Sequence, residues 1–227
     1  MKALILAGSD VTVTDALREL CRGAALVIAA DSGVRHAAPL GVTLDLIVGD
    51  FDSATAADLA RYPDVPRERH PVRKDRLDLE LALAEAAARG ATELLIVGAL
   101  GGRLDQTLAA LLIAARYRAD NKTHQKPGPK VTLHSGHTAA YPLGRNATTG
   151  DVGDAGDEVL VLELPPGQVF SVLSLGPVAV VSLTGASYPL TRAELPFGVG
   201  LGVSNLVASS PLTVTLHRGS ALVVLPS

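Results

Sequence analysis

In the stretch IVGDFDSAT, residues 47–55, Asp50 and Asp52 stand one residue apart at the close of an apolar run. Side chains at i and i+2 of an extended segment point the same way, about 7 Å apart along the chain, so both carboxylates can face one cation. Magnesium suits such a pair, because it takes one or two carboxylates, keeps several waters and shares phosphate oxygens of a substrate. The plainer reading is a turn in which Asp52 or Ser53 caps a helix over ATAADLARY; Asp50, before the cap, has no such job. In KDRLDLE, Asp75 and Asp78 lie at i and i+3 of a first helical turn. There they either cap the helix and complement its dipole or join the other acids. In GALGGRLDQ, Gly101 and Gly102 let backbone amides approach phosphate oxygens, Arg103 can clamp a phosphate, and Asp105 adds a further acid. The spacing is neither a Walker loop nor a G-x-G-x-x-G fingerprint.

These residues need elements that bring them together. The first half alternates apolar runs with helical patterns: KALILAG, TDALRELCRG, ALVIAADSG, VRHAAPLG, LDLIVGDFDS, ATAADLARY, a strand near RERHPV, DRLDLELALAEAAARG, TELLIVGAL and LDQTLAALLIAARYR. Strands that run continuously through Val, Ile, Leu and Ala are buried on both faces, which predicts a doubly wound parallel α/β sheet covered by helices. In such a sheet the carboxyl ends of all strands face one edge, where ligands bind. Those ends carry Gly8 and Ser9, then Asp31, Ser32 and Gly33, then Asp50 and Asp52, then Lys74 and Asp75, then Gly101 to Asp105. Acids and glycines from distant stretches are thus expected in one crevice. Past the polar segment ADNKTHQKPGPK the helical patterns stop, and short β-branched segments separated by Gly and Pro turns predict a C-terminal antiparallel β-sandwich. The expected domains are 1–125 and 126–227.

The bulk numbers narrow the function. With 227 residues and 48% hydrophobic content the chain can fill a sizeable core, and a net charge of -3 supplies no field to draw nucleic acid or an anionic membrane. No apolar stretch approaches the roughly 20 residues of a membrane span, and the N-terminal apolar run is too short for a signal peptide. The lone Cys21 excludes an internal disulfide and fits a reducing compartment, the cytoplasm. Three lesser motifs have plain readings: His134 and His137 in HSGH as a solvated turn, GDVGDAGDE as a polar hairpin, and Asn146 to Thr148 as an accidental sequon.

Taken together, ADSG, LIVGDFDS, KDRLDLELAL, GALGGRLDQ, LTGASYPL and GVSN occur in the order and approximate spacing of thiamine pyrophosphokinases, and the sequence resembles that family over nearly its whole length. The resemblance implies magnesium-dependent transfer of the pyrophosphoryl group of ATP to the hydroxyl of thiamine, releasing AMP, by a homodimer whose sites lie between one subunit's α/β domain and the other's β-sandwich. It implies that Asp50, Asp52 and Asp78 hold magnesium, with Asp105 as a catalytic or orienting carboxylate. Asp31, Ser32, Gly33, Lys74, Gly101, Gly102 and Arg103 would face the nucleotide, and Ser204 and Asn205 the vitamin. Departures include Ser32, where glycine is common, Arg35, where asparagine is usual, Leu77 for threonine and Gln106 for histidine. Two other activities use the same residue types: a magnesium phosphohydrolase with an aspartate nucleophile, and a nucleotide or thiamine sensor without turnover. A D-x-D nucleophile normally follows the first strand, whereas this one follows the third. A nicotinamide oxidoreductase is disfavoured by the missing glycine fingerprint.

Overall fold

A computed structural model describes residues 1–70, 76–119, 128–144 and 157–226. The chain divides into two compact units, one of residues 1–113 with 129–139, the other of 114–128 with 140–227.

The first unit holds strands β1 (Lys2–Leu6), β2 (Leu26–Ala30), β3 (Leu46–Gly49), β4 (Arg67–Arg69), β5 (Glu93–Val97) and β6 (Lys130–His134). They form a parallel sheet in the order β4-β3-β2-β1-β5-β6. β1, β2 and β3 are buried along nearly their whole length, as their unbroken apolar sequences require. One sheet face, with Leu4, Leu6, Val27, Ala29, Ile47, Leu95 and Val97, packs against Leu17 and Cys21 of α1 (Asp15–Cys21) and Ala37 and Leu40 of α2 (Ala37–Leu40). Ile5 and Ile28, one residue out of phase, point to the opposite face. There α4 (Asp78–Ala88) packs against β1, β2 and β3 and buries Leu79, Ala82, Leu83 and Ala86. Each such fully buried Leu or Ile contributes about 1.5–3 kcal/mol. α3 (Ala56–Ala60) precedes β4, and α5 (Leu104–Ala119) follows β5. α3 is capped by Thr55, whose hydroxyl accepts from the Asp58 amide, so the capping role offered for Asp52 or Ser53 belongs to neither.

β6 departs from the expected boundary: it pairs in parallel with β5, Glu93 opposite Lys130 and Val97 opposite His134, and so extends the α/β sheet. Its alternating burial is that of a strand covered on one face, which in sequence is indistinguishable from an antiparallel strand. HSGH accordingly ends a parallel strand. His134 is half-buried and its Nδ1 accepts from Gly136 N at 2.9 Å.

The second unit has two antiparallel layers. One runs β11 (Leu190–Pro196), β10 (Val178–Thr184), β13 (Leu212–Arg218), β8 (Glu158–Leu162); the other runs β12 (Asn205–Leu206), β9 (Val169–Ser174), β14 (Ser220–Leu225), β7 (Ala139–Gly144). β10 meets β14 and β11 meets β9, enclosing Phe170, Val172, Val181, Leu183, Val214, Leu216 and Val223 in a sandwich core. Arg118 and Glu158, with side chains 9% and 11% exposed, close one end: Arg118 Nε donates to Glu158 Oε1 at 2.7 Å, and Glu158 Oε2 accepts from Gly144 N at 3.0 Å. A bulge between β10 and β11 puts Arg192 at φ +47°, and Ser182 Oγ accepts its amide at 2.9 Å. Ser182 Oγ also lies 2.7 Å from His217 Nε2, and His217 Nδ1 lies 2.9 Å from Asp157 Oδ2. This resembles a nucleophile triad in spacing. Its work is to close the bulge, since the serine oxygen already accepts an amide and the Arg192 guanidinium, at 3.2 Å, shares the nitrogen that Asp157 uses.

Candidate active site

In the parallel sheet the chain order reverses between β1 and β5, and a crevice beyond the carboxyl ends at such a switch point is where open α/β sheets bind ligands. β1 runs out into Gly8 and Ser9, and Ser9 N donates to Gly98 O, beyond β5, at 2.7 Å. β2 passes into a tight 3-10 turn, Asp31–His36, whose first residue takes φ +46°, a left-handed conformation that aspartate tolerates. Gly33 seats that turn against β1: a Cβ there would stand 2.0 Å from the Leu6 carbonyl oxygen. β3 ends at Gly49, at φ +148°, where a Cβ would lie 3.1 Å from Asp31 Cβ and 3.2 Å from Asp78 Oδ1. The missing side chain at Gly49 is what lets Asp31, Asp50 and Asp78 approach one another.

One carboxylate oxygen from each of these three aspartates lies within 4.8 Å of the others. Asp31 and Asp50 are buried, and Asp78 is half-buried at the start of α4. Ser53 Oγ donates to Asp31 Oδ2, whereas Asp31 Oδ1 is buried with no hydrogen-bond partner among the described residues. Converging negative charges with a buried, unpaired oxygen are destabilising by themselves. An all-oxygen donor set of this kind fits a hard divalent cation. Asp52 registers the same field. Its carboxyl is raised above the ordinary carboxylate value, first by the charge of Asp50, then by desolvation and a hydrogen bond with Asp50, with smaller effects from Asp31 and Asp78.

Asp50 and Asp52 keep their side chains in contact, though not across an extended backbone. Phe51 has φ +64°, so the backbone between the two acids is turned rather than extended. Asp52 is exposed beside the group, with its amide donating to Asp50 Oδ1 at 3.2 Å. Asp31, expected at the nucleotide phosphates, takes the third place in the acidic group. Asp78 is the first residue of α4 rather than its N-cap, which is Leu77, whose amide donates to the Glu80 carboxylate at 3.1 Å. Lys74 and Asp75 lie outside the described residues.

Asp105 stands apart from the three acids. It is exposed on the first turn of α5 and receives two hydrogen bonds from Arg103, at 3.2 Å and 2.6 Å, which hold its carboxyl below the ordinary range. Gly101 and Gly102 take φ +97° and +68°, as a turn between β5 and α5 requires, but the Gly101 amide already donates to Thr107 Oγ1 at 3.1 Å. Ser32 is half-buried beside Gly8, where a Cβ would strike its hydroxyl.

In the second unit Ser204 is exposed at φ +58°, with its amide donating to Ser171 Oγ. Asn205 is 4% exposed, and its amide group is committed to the fold. The carbonyl accepts from Tyr188 N and Leu206 N, and Nδ2 donates to Tyr188 O. Sequence reading took Ser53 only as a helix cap and Gly49 only as a strand end, and gave neither a part in the acidic group. The signal for Asp31 was available, since it follows a buried strand as Asp50 does; the signal for Gly49 was not, because its need arises only from the neighbours it admits.

An open parallel sheet whose switch-point rim gathers carboxylates, followed in the same chain by a β-sandwich, defines a class of two-domain proteins that join an α/β unit to a β unit. Residues 17–125 match the family described as thiamin pyrophosphokinase, catalytic domain, and residues 159–220 match the thiamin pyrophosphokinase, vitamin B1 binding domain. The chain belongs to the thiamin pyrophosphokinase family. Comparison with curated proteins gives no match. Among solved structures, thiamine pyrophosphokinase from Bacillus subtilis is 22% identical with a TM-score of 0.80, covering 100% of this chain and 99% of that one. The Geobacillus thermodenitrificans enzyme is 22% identical with a TM-score of 0.78, covering 100% and 98%. The Candida albicans enzyme is 13% identical with a TM-score of 0.73, covering 98% and 88%. At these identities the likeness establishes the fold.

Proposed function

We propose that the protein transfers the pyrophosphoryl group of ATP to the hydroxyl of thiamine, giving thiamine diphosphate and AMP, and that the transfer depends on magnesium. Beside the family match, the observation that carries this reading is the meeting of Asp31, Asp50 and Asp78 at the carboxyl rim, with a buried Asp31 oxygen unpaired among the described residues. These three would hold the ion, which when bound neutralises charge on the polyphosphate. The rest of the work is positioning. Arg103, extended on the Gly101–Gly102 turn, exchanges its exposed ion pair with Asp105 for a phosphate, and Asp105 then orients what binds there. Ser204 offers its exposed hydroxyl to the vitamin, while Asn205 shapes that surface by fixing the Tyr188 backbone. Phosphoryl transition states are loose, so alignment and charge neutralisation supply most of the acceleration.

The proposal includes a homodimer, in keeping with the exposed Phe197, Val199, Leu201 and Val203 of one β-domain segment. No described helix is long and apolar enough to cross a membrane, which suits a cytoplasmic enzyme. The test is incubation of purified protein with ATP, magnesium and thiamine, followed by chromatographic separation of AMP and thiamine diphosphate. Thiamine-dependent AMP is expected; ATP consumption without thiamine diphosphate defeats the assignment.

A further inference from the structure

The 3-10 turn that opens with Asp31 closes with two side chains that reach back over the end of β1. Arg35 Nη2 donates to Gly8 O at 2.6 Å, and His36 Nε2 lies 2.8 Å from Ser9 O. Consecutive residues thus hold consecutive carbonyls of the segment that forms the β1 side of the switch point, while Ser9 N is fixed to Gly98 O on the β5 side. Gly33 makes the arrangement rigid by laying the turn directly on the Leu6 carbonyl. His36 is 7% exposed, and its Nε2 also lies 3.5 Å from Arg35 Nε. Arg35 is placed differently. Its side chain is 40% exposed, and the Nη2 that holds Gly8 also pairs with Asp10 Oδ1 at 3.0 Å. Nη1 has no partner among the described residues. Asp10 is 97% exposed, so the Arg35–Asp10 pair is screened by water and worth little, a contact that a stronger anion displaces.

We propose that Arg35 is a positioning and specificity residue for the nucleoside triphosphate: it fixes the Gly8–Asp10 segment at the switch point and offers its half-exposed guanidinium to the polyphosphate, with Asp10, on Nη2, as an intramolecular competitor for that charge. The inference rests on the reading of the rim as a nucleotide site. A neutral residue at position 35 could hold a carbonyl but would bring no charge. A guanidinium matches phosphate through paired donors, which a lysine cannot reproduce.

The test uses the full chain and calorimetric binding of ATP with magnesium, beside kinetics with ATP and thiamine varied in turn. Arg35→Ala is expected to weaken ATP binding and raise its KM about tenfold, leaving the thiamine KM within about twofold; Arg35→Lys recovers only part of the loss. Asp10→Ala is expected to tighten ATP binding about two- to threefold, a gain that a purely structural Arg35–Asp10 contact would not produce. Thermal unfolding of each variant separates fold damage from lost charge. Unchanged ATP affinity in Arg35→Ala overturns the proposal, as does weaker ATP binding in Asp10→Ala. If the wild type binds ATP with magnesium but forms no AMP from thiamine, the transfer reading fails while the Arg35 and Asp10 shifts still decide this one; if it binds no ATP at all, both fail.

Discussion

Asp31→Asn separates the cost of the acidic group from its use. Asparagine is nearly isosteric, tolerates the φ of +46° as well as aspartate does, and keeps a carbonyl for the Ser53 hydroxyl. It removes one of three converging negative charges. Its amide, placed where Oδ1 is buried without a partner, can donate to a carboxylate oxygen of Asp50 or Asp78, which lie within the 4.8 Å group. An unsatisfied buried polar atom costs about 1–3 kcal/mol, more when charged. Relief of about 1 kcal/mol at the low end raises the melting temperature of a chain this size by about 2–4 °C. The gain is expected in EDTA, where nothing else neutralises the acids. With magnesium and substrates the sign reverses: loss of supporting groups around a metal costs about 10- to 100-fold in affinity or activity, and loss of a ligand at least that. The assay pairs thermal unfolding in EDTA and in magnesium with AMP release over a magnesium titration. A variant that melts lower in EDTA, or that releases AMP at the wild-type rate with an unshifted magnesium dependence, refutes the reasoning.

Three further outcomes follow from the same geometry. Gly49→Ala must move Asp31 or Asp78 by a few tenths of an ångström, since contacts of 3.1 Å and 3.2 Å fall short of ordinary van der Waals distance; a stability loss of about 1–3 kcal/mol from the backbone and a weaker magnesium dependence are expected in unfolding and activity assays. Arg118→Met strands the buried Glu158 carboxylate and costs about 3–5 kcal/mol by denaturant unfolding, much of which Arg118→Met with Glu158→Leu restores. Burial pushes the His36 and His134 pKa values down from 6.5, so the unfolded chain binds more protons between the depressed values and 6.5; stability is complete above 6.5 and falls as pH drops through that window, and His36→Gln flattens part of that slope in melting temperature against pH.

Much was settled by residue order alone. Unbroken apolar runs at Lys2–Leu6, Leu26–Ala30 and Leu46–Gly49 can satisfy themselves only between two helical layers, so the parallel sheet and its carboxyl rim were readable in the sequence. With the rim came the neighbourhood of Asp31, Asp50 and Asp78, because topology sends every strand end to one edge. Which acids meet was decided by tertiary structure. The positive φ of Phe51 leaves Asp52 exposed at the edge of the group, Gly49 opens the space that Asp31 and Asp78 share, and neither effect has a periodic signature in sequence. β6 joined the α/β sheet for the same kind of reason: a half-covered parallel strand and an antiparallel strand carry the same alternation, and only the available edge of β5 chooses between them. Local sequence sets what each segment can be. The distances among carboxylates depend on backbone turns and neighbours far apart in the chain, and those exist only once the sheet has formed.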